Sequence, residues 1–307
     1  MAVLLHLFTY LTIIVGGIAV VAKIYRLATM PIHLRWELYP VPKEAEKVHH
    51  GGSFYEESDW WTKKRHESFI SELMHMLPEM LFIKAMYDNN RKLWYRSFPF
   101  HFGLYMLIGT AGLVILLALA DIVGLQDNAL VGIISKLTSL VGVIGLALAT
   151  IGALALLHRR LADEDLKDYT AARDIFNLVA FLVTFACAWL GFVFSADGGI
   201  STVVSYVSAL LTFNLSASVG GFWAGMAFLL FSFFIMYVPL SHMSHFIAKY
   251  FMWHKIRWDD EPNLPGGKIE KEVTTLVSYP VTWSASHLAA DGKKNWVDIA
   301  LEDIPQK

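Results

Sequence analysis

Two histidines lie at the same end of two different apolar stretches. His101 follows Phe98-Pro99-Phe100 at the start of one, and His245, with His242, follows Val238-Pro239-Leu240 at the end of another. Imidazoles facing each other at one membrane level are what a bis-histidine haem requires, because the iron takes a nitrogen from either side of the porphyrin. An ionisable residue inside or at the edge of lipid is costly without a partner and is functional by default. Two blander chemistries stand beside this one. A histidine at an interface often serves only as a polar tip. His242 and His245, three residues apart, also make half of a zinc site, but no carboxylate or thiolate accompanies them at ligand spacing.

The elements that position these residues are apolar spans. With 55% hydrophobic and 17% charged residues over 307 positions, and a mean hydropathy of +0.47, the chain is too apolar for an ordinary soluble domain. A hydrocarbon core of about 30 Å needs about 20 apolar helical residues. Five windows meet that length, Leu4–Val21, Phe98–Ala120, Leu130–Leu157, Ile175–Phe194 and Val219–Leu240, each all but free of charge. No basic residue precedes the first and no small-residue cleavage site follows it, so it reads as a retained span rather than a signal peptide. Gly199–Ser216 is apolar enough for a short re-entrant or interfacial helix. The single cysteine, Cys187, lies inside the fourth window. That excludes a disulfide framework, a cysteine-ligated iron–sulfur cluster and covalent attachment of c-type haem.

Basic residues orient the spans. Lys23, Arg26, Arg35, Lys63, Lys64, Arg65, Arg91, Lys92 and Arg96 lie between spans one and two, Arg159, Arg160, Lys167 and Arg173 between three and four, and Lys249, Lys255 and Arg257 after span five. The loops Asp121–Ala129 and Ser195–Ser218 carry acid and no base. The positive-inside rule puts the N-terminus outside and the C-terminus in the cytoplasm. The expected fold is therefore an all-α integral membrane protein of five transmembrane helices in the cytoplasmic (inner) membrane. Its expected parts are a first helix in 1–26, a cytoplasmic insert in 27–97, a four-helix haem-binding membrane region in 98–257 and a docking tail in 258–307. Within the insert, Phe69, Ile70, Leu73, Met76, Leu77, Met80 and Ile83 recur at three- and four-residue steps, which describes an amphipathic helix on the membrane surface or under a partner. The insert also holds the Pro/His/Trp-rich run Pro31–Pro42 and His49-His50-Gly51-Gly52. Nothing in the chain suggests nucleic-acid binding.

At 1.5 Å per residue, His101 and His245 differ in depth by roughly 5–10 Å, which helix tilt absorbs. Arg96, Arg159 and Lys249 form a basic rim suited to haem propionates, and Gly103 and Gly109 beside His101 offer room for close approach of a macrocycle. Quinone redox chemistry moves protons with electrons, so a quinone site near the haem needs a titratable group; His158, Arg173 and Asp174 are the candidates. His6, near the outer end of span one, has no second transmembrane histidine at its depth and reads as structural. His75 falls on the amphipathic helix, in a solvated or membrane-surface position. His33, His49, His50, His66, His254 and His287 carry no spacing signal.

Phe100-His101-Phe102-Gly103 and Pro239-Leu240-Ser241-His242-Met243-Ser244-His245-Phe246, with five spans and an outside N-terminus, resemble the gamma subunit of respiratory nitrate reductase. The resemblance implies that His101 and His245 ligate the haem nearest the cytoplasm. His242 falls where that family has a basic residue. The family's second, outer haem uses two further histidines, whose positions are Ala111 and Ala227 here, so the outer haem and the family's usual quinol site are expected to be missing; at least one haem b is expected, and a second with other ligands, for example through His158 or His75, stays open. The long insert with HLRWELYPVPKE, the exit KYFMWHKIRWDDEP and the tail's DGKK segment resemble more closely the DsrM, HmeC and TmcC type of membrane cytochrome from sulfate-reducing organisms. The function implied is a cytochrome b electron-transfer subunit using haem b. It would exchange electrons between menaquinone and a cytoplasmic, heterodisulfide-reductase-like iron–sulfur subunit, with a periplasmic multihaem cytochrome c and other membrane subunits in the same complex. The alternatives are a non-redox membrane anchor or assembly subunit, and a relay without its own quinone site. A transporter is disfavoured, since paired broken helices and buried charges are lacking.

Overall fold

The computed structural model describes residues 2–31, 41–50, 53–195, 199–256, 263–283, 288 and 290–302. The run at 32–40, Gly51-Gly52 and the segment 257–262 lie outside the described residues, as do His33 and His287. Two units make up the chain, Met1–Val20 with Pro78–Met243, and Val21–Leu77 with Ser244–Lys307.

In chain order the helices are α1 (Ala2–Thr29), α2 (Phe69–Leu81), α3 (Lys84–Asn89), α4 (Arg91–Ile122), α5 (Ala129–Ala162), α6 (Glu164–Lys167), α7 (Ala172–Val193), α8 (Ile200–Leu211), α9 (Phe222–Leu240), α10 (His245–Ile256), α11 (Lys268–Val277) and α12 (Trp296–Leu301). Among them α1, α4, α5, α7 and α9 are long and apolar enough to cross a membrane. The expected short helix after the fourth span is α8, whose 12 residues rise about 18 Å, too little to cross.

The first unit is the helical bundle. Its α4 and α5 form an antiparallel hairpin: Asn128 caps α5 by accepting the Leu130 N–H at 2.9 Å, and Gly124 turns the chain at φ +75°. Between these helices small residues replace side-chain bulk. A Cβ on Gly103 would sit 2.3 Å from the Ala149 nitrogen, and one on Gly152 would sit 2.3 Å from the Phe100 nitrogen. In lipid, where apolar side chains gain nothing by leaving the solvent, such backbone proximity and the dispersion it permits drive association. Phe100, Leu146, Ala149, Ala153, Phe181, Phe185 and Phe234 fill the core among α4, α5, α7 and α9. Phe181 stacks on Phe234 with centroids 4.2 Å apart and meets Phe100 edge-on at 5.3 Å.

The N-terminal part of α1 joins this bundle through hydroxyls. Thr9 Oγ1 lies 2.6 Å from the Tyr206 hydroxyl and 2.8 Å from Ser232 Oγ, and a Cβ on Gly16 would strike the Ile235 carbonyl. His6 is fully buried, its Nδ1 bonded to the Ala2 carbonyl at 2.8 Å and its ring against Tyr206.

The second unit contains the insert and the tail. Ser53 starts a short helical turn with a capping box to Glu56. Buried Glu44 accepts the Phe54 N–H at 2.7 Å and the Arg65 Nε–H at 2.9 Å, while Lys47 and Lys63 both bond Glu57. Lys23 donates to Ser244, and in the tail the Val281 N–H reaches the Lys294 carbonyl at 2.8 Å.

Candidate cofactor site

His101 lies ten residues inside α4, because the helix begins at Arg91 rather than at Phe98. Arg96 is therefore a helical residue, five positions before His101. Pro99 is also inside the helix; it has no N–H to give the Tyr95 carbonyl. The His101 Nδ1 sits 2.9 Å from the Ser97 carbonyl and 3.3 Å from the Ser97 hydroxyl. A carbonyl only accepts, so Nδ1 carries the proton and Nε2 the lone pair. That is the tautomer an iron ligand needs, held by the kind of backbone bond that orients metal-binding imidazoles. Chemically, such an imidazole is suited to serve as one axial ligand of a haem iron. Phe100 stands edge-on to the ring at 5.4 Å and ties it to the aromatic core.

Around the same end of the bundle, polar groups of α7 and α9 meet. The Tyr237 hydroxyl donates to Asn177 Oδ1 at 2.7 Å, and Asn177 is buried. Just past α9, His242 Nε2 lies 3.8 Å from Asp174 Oδ1, so a residue expected near the haem and one expected near the quinone are neighbours. Asp174 also accepts the Ala171 N–H at 3.1 Å, capping α7. Arg159 turns to Asp163 at 3.4 Å. His158 and Arg173 are both exposed.

In the second unit, His245 is the first residue of α10 and is exposed, as is Lys249 one turn later. His75 repeats the tautomer of His101, its Nδ1 on the Ser71 carbonyl at 2.8 Å, with the His49 ring 6.4 Å away. Among the described residues no group of three or more metal-ligating side chains occurs.

Gly103 departs from its expected role. Its open face is filled by the α5 backbone, so it serves helix packing rather than macrocycle approach. Gly109 would have nothing within 4 Å of an added Cβ and faces outward. The sequence reading misses the Asn177–Tyr237 pair; the signal for it is an amide inside an otherwise apolar window, since unpaired amides are costly in lipid.

Five helices long and apolar enough to span a bilayer define a multi-pass membrane protein. Residues 85–256 match the Nitrate reductase gamma subunit family, and the chain belongs to it. Members of that family are membrane cytochrome b subunits of multi-subunit redox complexes and bind haem b. No curated protein and no solved structure matches the chain.

Proposed function

We propose that the protein is the cytochrome b subunit of a respiratory complex in the cytoplasmic membrane, with one haem b ligated by His101 and His245. The observation that carries this reading is the His101 tautomer, locked by Ser97 in a chain of the nitrate reductase gamma family. When bound, a bis-imidazole b haem supplies one-electron transfer at nearly constant coordination. The chain's residues hold and tune it. Ser97 keeps the proton on the far nitrogen of His101 and raises the basicity of the near one, while Arg96, Arg159 and Lys249 would supply positive charge for the propionates.

The electron donor or acceptor in the membrane is menaquinone, and its proton-handling site uses Asp174 with His158 and Arg173. Asp174, beside His242, is the carboxylate that exchanges a proton with the quinol. The N-terminus is outside and the C-terminus cytoplasmic, as the basic loops indicate. The insert and tail then meet a cytoplasmic iron–sulfur subunit of the heterodisulfide-reductase type, in a complex like those of the DsrM, HmeC and TmcC group that includes a periplasmic multihaem cytochrome c. Ala111 and Ala227 leave no ligands for the family's outer haem.

The test is the reduced-minus-oxidised spectrum of the purified chain. Sharp b-haem bands should vanish in His101→Ala and in His245→Ala and persist in His6→Ala. If His242→Ala removes the haem while His245→Ala keeps it, the second ligand is one turn earlier. A menaquinol analogue should reduce the haem; insensitivity to every quinone would make the chain a relay between two other subunits.

A further inference from the structure

Helix α2 is turned inside out by the standards of a soluble protein. Phe69, Ile70, Met74, Leu77 and Leu81 are 70, 73, 67, 42 and 46% exposed, whereas Glu72, pointing off the stripe, and Met76 at its edge are 5 and 6% exposed. At 100° per residue the exposed apolar residues share a stripe about 140° wide. In water the stripe would be buried and Glu72 would face out. An orientation with the carboxylate inward and the large apolar side chains outward matches a hydrocarbon surrounding.

The depth of the helix points the same way. The Tyr105 hydroxyl of α4 donates to the carbonyl of Met80, near the end of α2, at 3.1 Å. Tyr105 lies about 12 Å along α4 from Ser97, where the charge-free part of that helix begins, and its side chain leans back roughly one turn toward the N-terminus. The Met80 carbonyl is thus level with the neighbourhood of His101, inside the apolar stretch. The following residues stay against α4, with the Trp94 Nε1–H on the Phe82 carbonyl at 2.8 Å and Trp94 stacked on Phe98 at 4.4 Å. Tryptophan and tyrosine at this level are typical of the membrane interface. Lys64 precedes the helix and Arg91 and Lys92 follow it, whereas Lys63 and Lys84 pair with Glu57 and Asp88.

From this we propose that α2 is an interfacial helix bound by the bilayer itself, its Phe69-Ile70-Met74-Leu77-Leu81 stripe among the acyl chains and Lys64, Arg91 and Lys92 among anionic headgroups. A partner subunit contacts the insert through other surfaces. The inference stands independently of haem ligation.

The test uses the full chain, with Cys187→Ser removing the single thiol and Met74→Cys or Ile70→Cys introducing a new one for a bimane label. The protein is reconstituted without partners in vesicles of phosphatidylethanolamine and phosphatidylglycerol. Lipids brominated in the acyl chains should quench both labels, and aqueous iodide should quench neither, while a label at Asp59→Cys responds to iodide. Iodide quenching at positions 70 and 74 equal to that at 59 would overturn the proposal. So would protection from both quenchers, which would mean that protein covers the stripe.

Discussion

Replacing Gly152 by alanine tests how the bundle holds its candidate ligand. The new Cβ would lie 2.3 Å from the Phe100 nitrogen and 2.6 Å from its Cα, where ordinary contact starts near 3.4 Å, a shortfall of about 1.1 Å. The obstacle is backbone, so no rotamer change relieves it, and α4 and α5 must part. Overpacking of this kind costs roughly 1–3 kcal/mol, about a 5-fold or greater shift in the folded-to-unfolded ratio. The strain falls on the peptide joining Phe100 to the preceding turn, next to His101. Unfolding in sodium dodecyl sulfate and haem per chain after purification both report it. Gly152→Ala should lower both, and Gly103→Ala, which meets the Ala149 nitrogen at 2.3 Å, should do the same. Gly109→Ala and Gly112→Ala have open space around the added methyl and should be neutral or gain up to about 1 kcal/mol of helix propensity. Equal stability and haem content in Gly152→Ala and Gly109→Ala would refute the packing argument.

Three other expectations concern polar contacts. Tyr237→Phe and Asn177→Ala should each weaken the bundle, and a double-mutant cycle should give a coupling of roughly 0.6–1.7 kcal/mol, the range for interhelical bonds in membranes. Glu44→Ala removes the buried partner of Arg65, which keeps Glu67 at 3.0 Å; the loss should be about 1–3 kcal/mol and confined to the insert, read as faster amide exchange in 41–68. Hydrogen bonds from Lys47 and Lys63 hold the Glu57 carboxyl below its usual range. Its contribution is therefore present at neutral pH and lost as the pH falls through the lowered value. Acidification should release exchange protection around Glu57 in the native chain, and Glu57→Gln should lack that transition.

The spans are legible in the sequence because the charge-free windows coincide with helices that must satisfy their backbone internally in lipid. Their ends are less so. The second span's helix runs back to Arg91, with Lys92 and Arg96 in its first two turns ahead of the charge-free stretch and Pro99 tolerated inside it. The periodicity of α2 is readable as amphipathic, but which face meets protein is not. Period gives the angle between faces; only the buried Glu72 and the Tyr105 bond reveal that the apolar one points away. His101 stands out as an imidazole in an apolar run. Its tautomer depends on a helical carbonyl four residues back, and the function of Gly103 depends on a backbone 46 residues away, which no local pattern announces.

The haem-to-protein ratio of the purified full chain, measured as extracted haem b against amino-acid analysis, bears most directly on the proposed function. The account predicts one haem per polypeptide, abolished by His101→Ala. A colourless protein would contradict it, and two haems per polypeptide would contradict the single-haem reading.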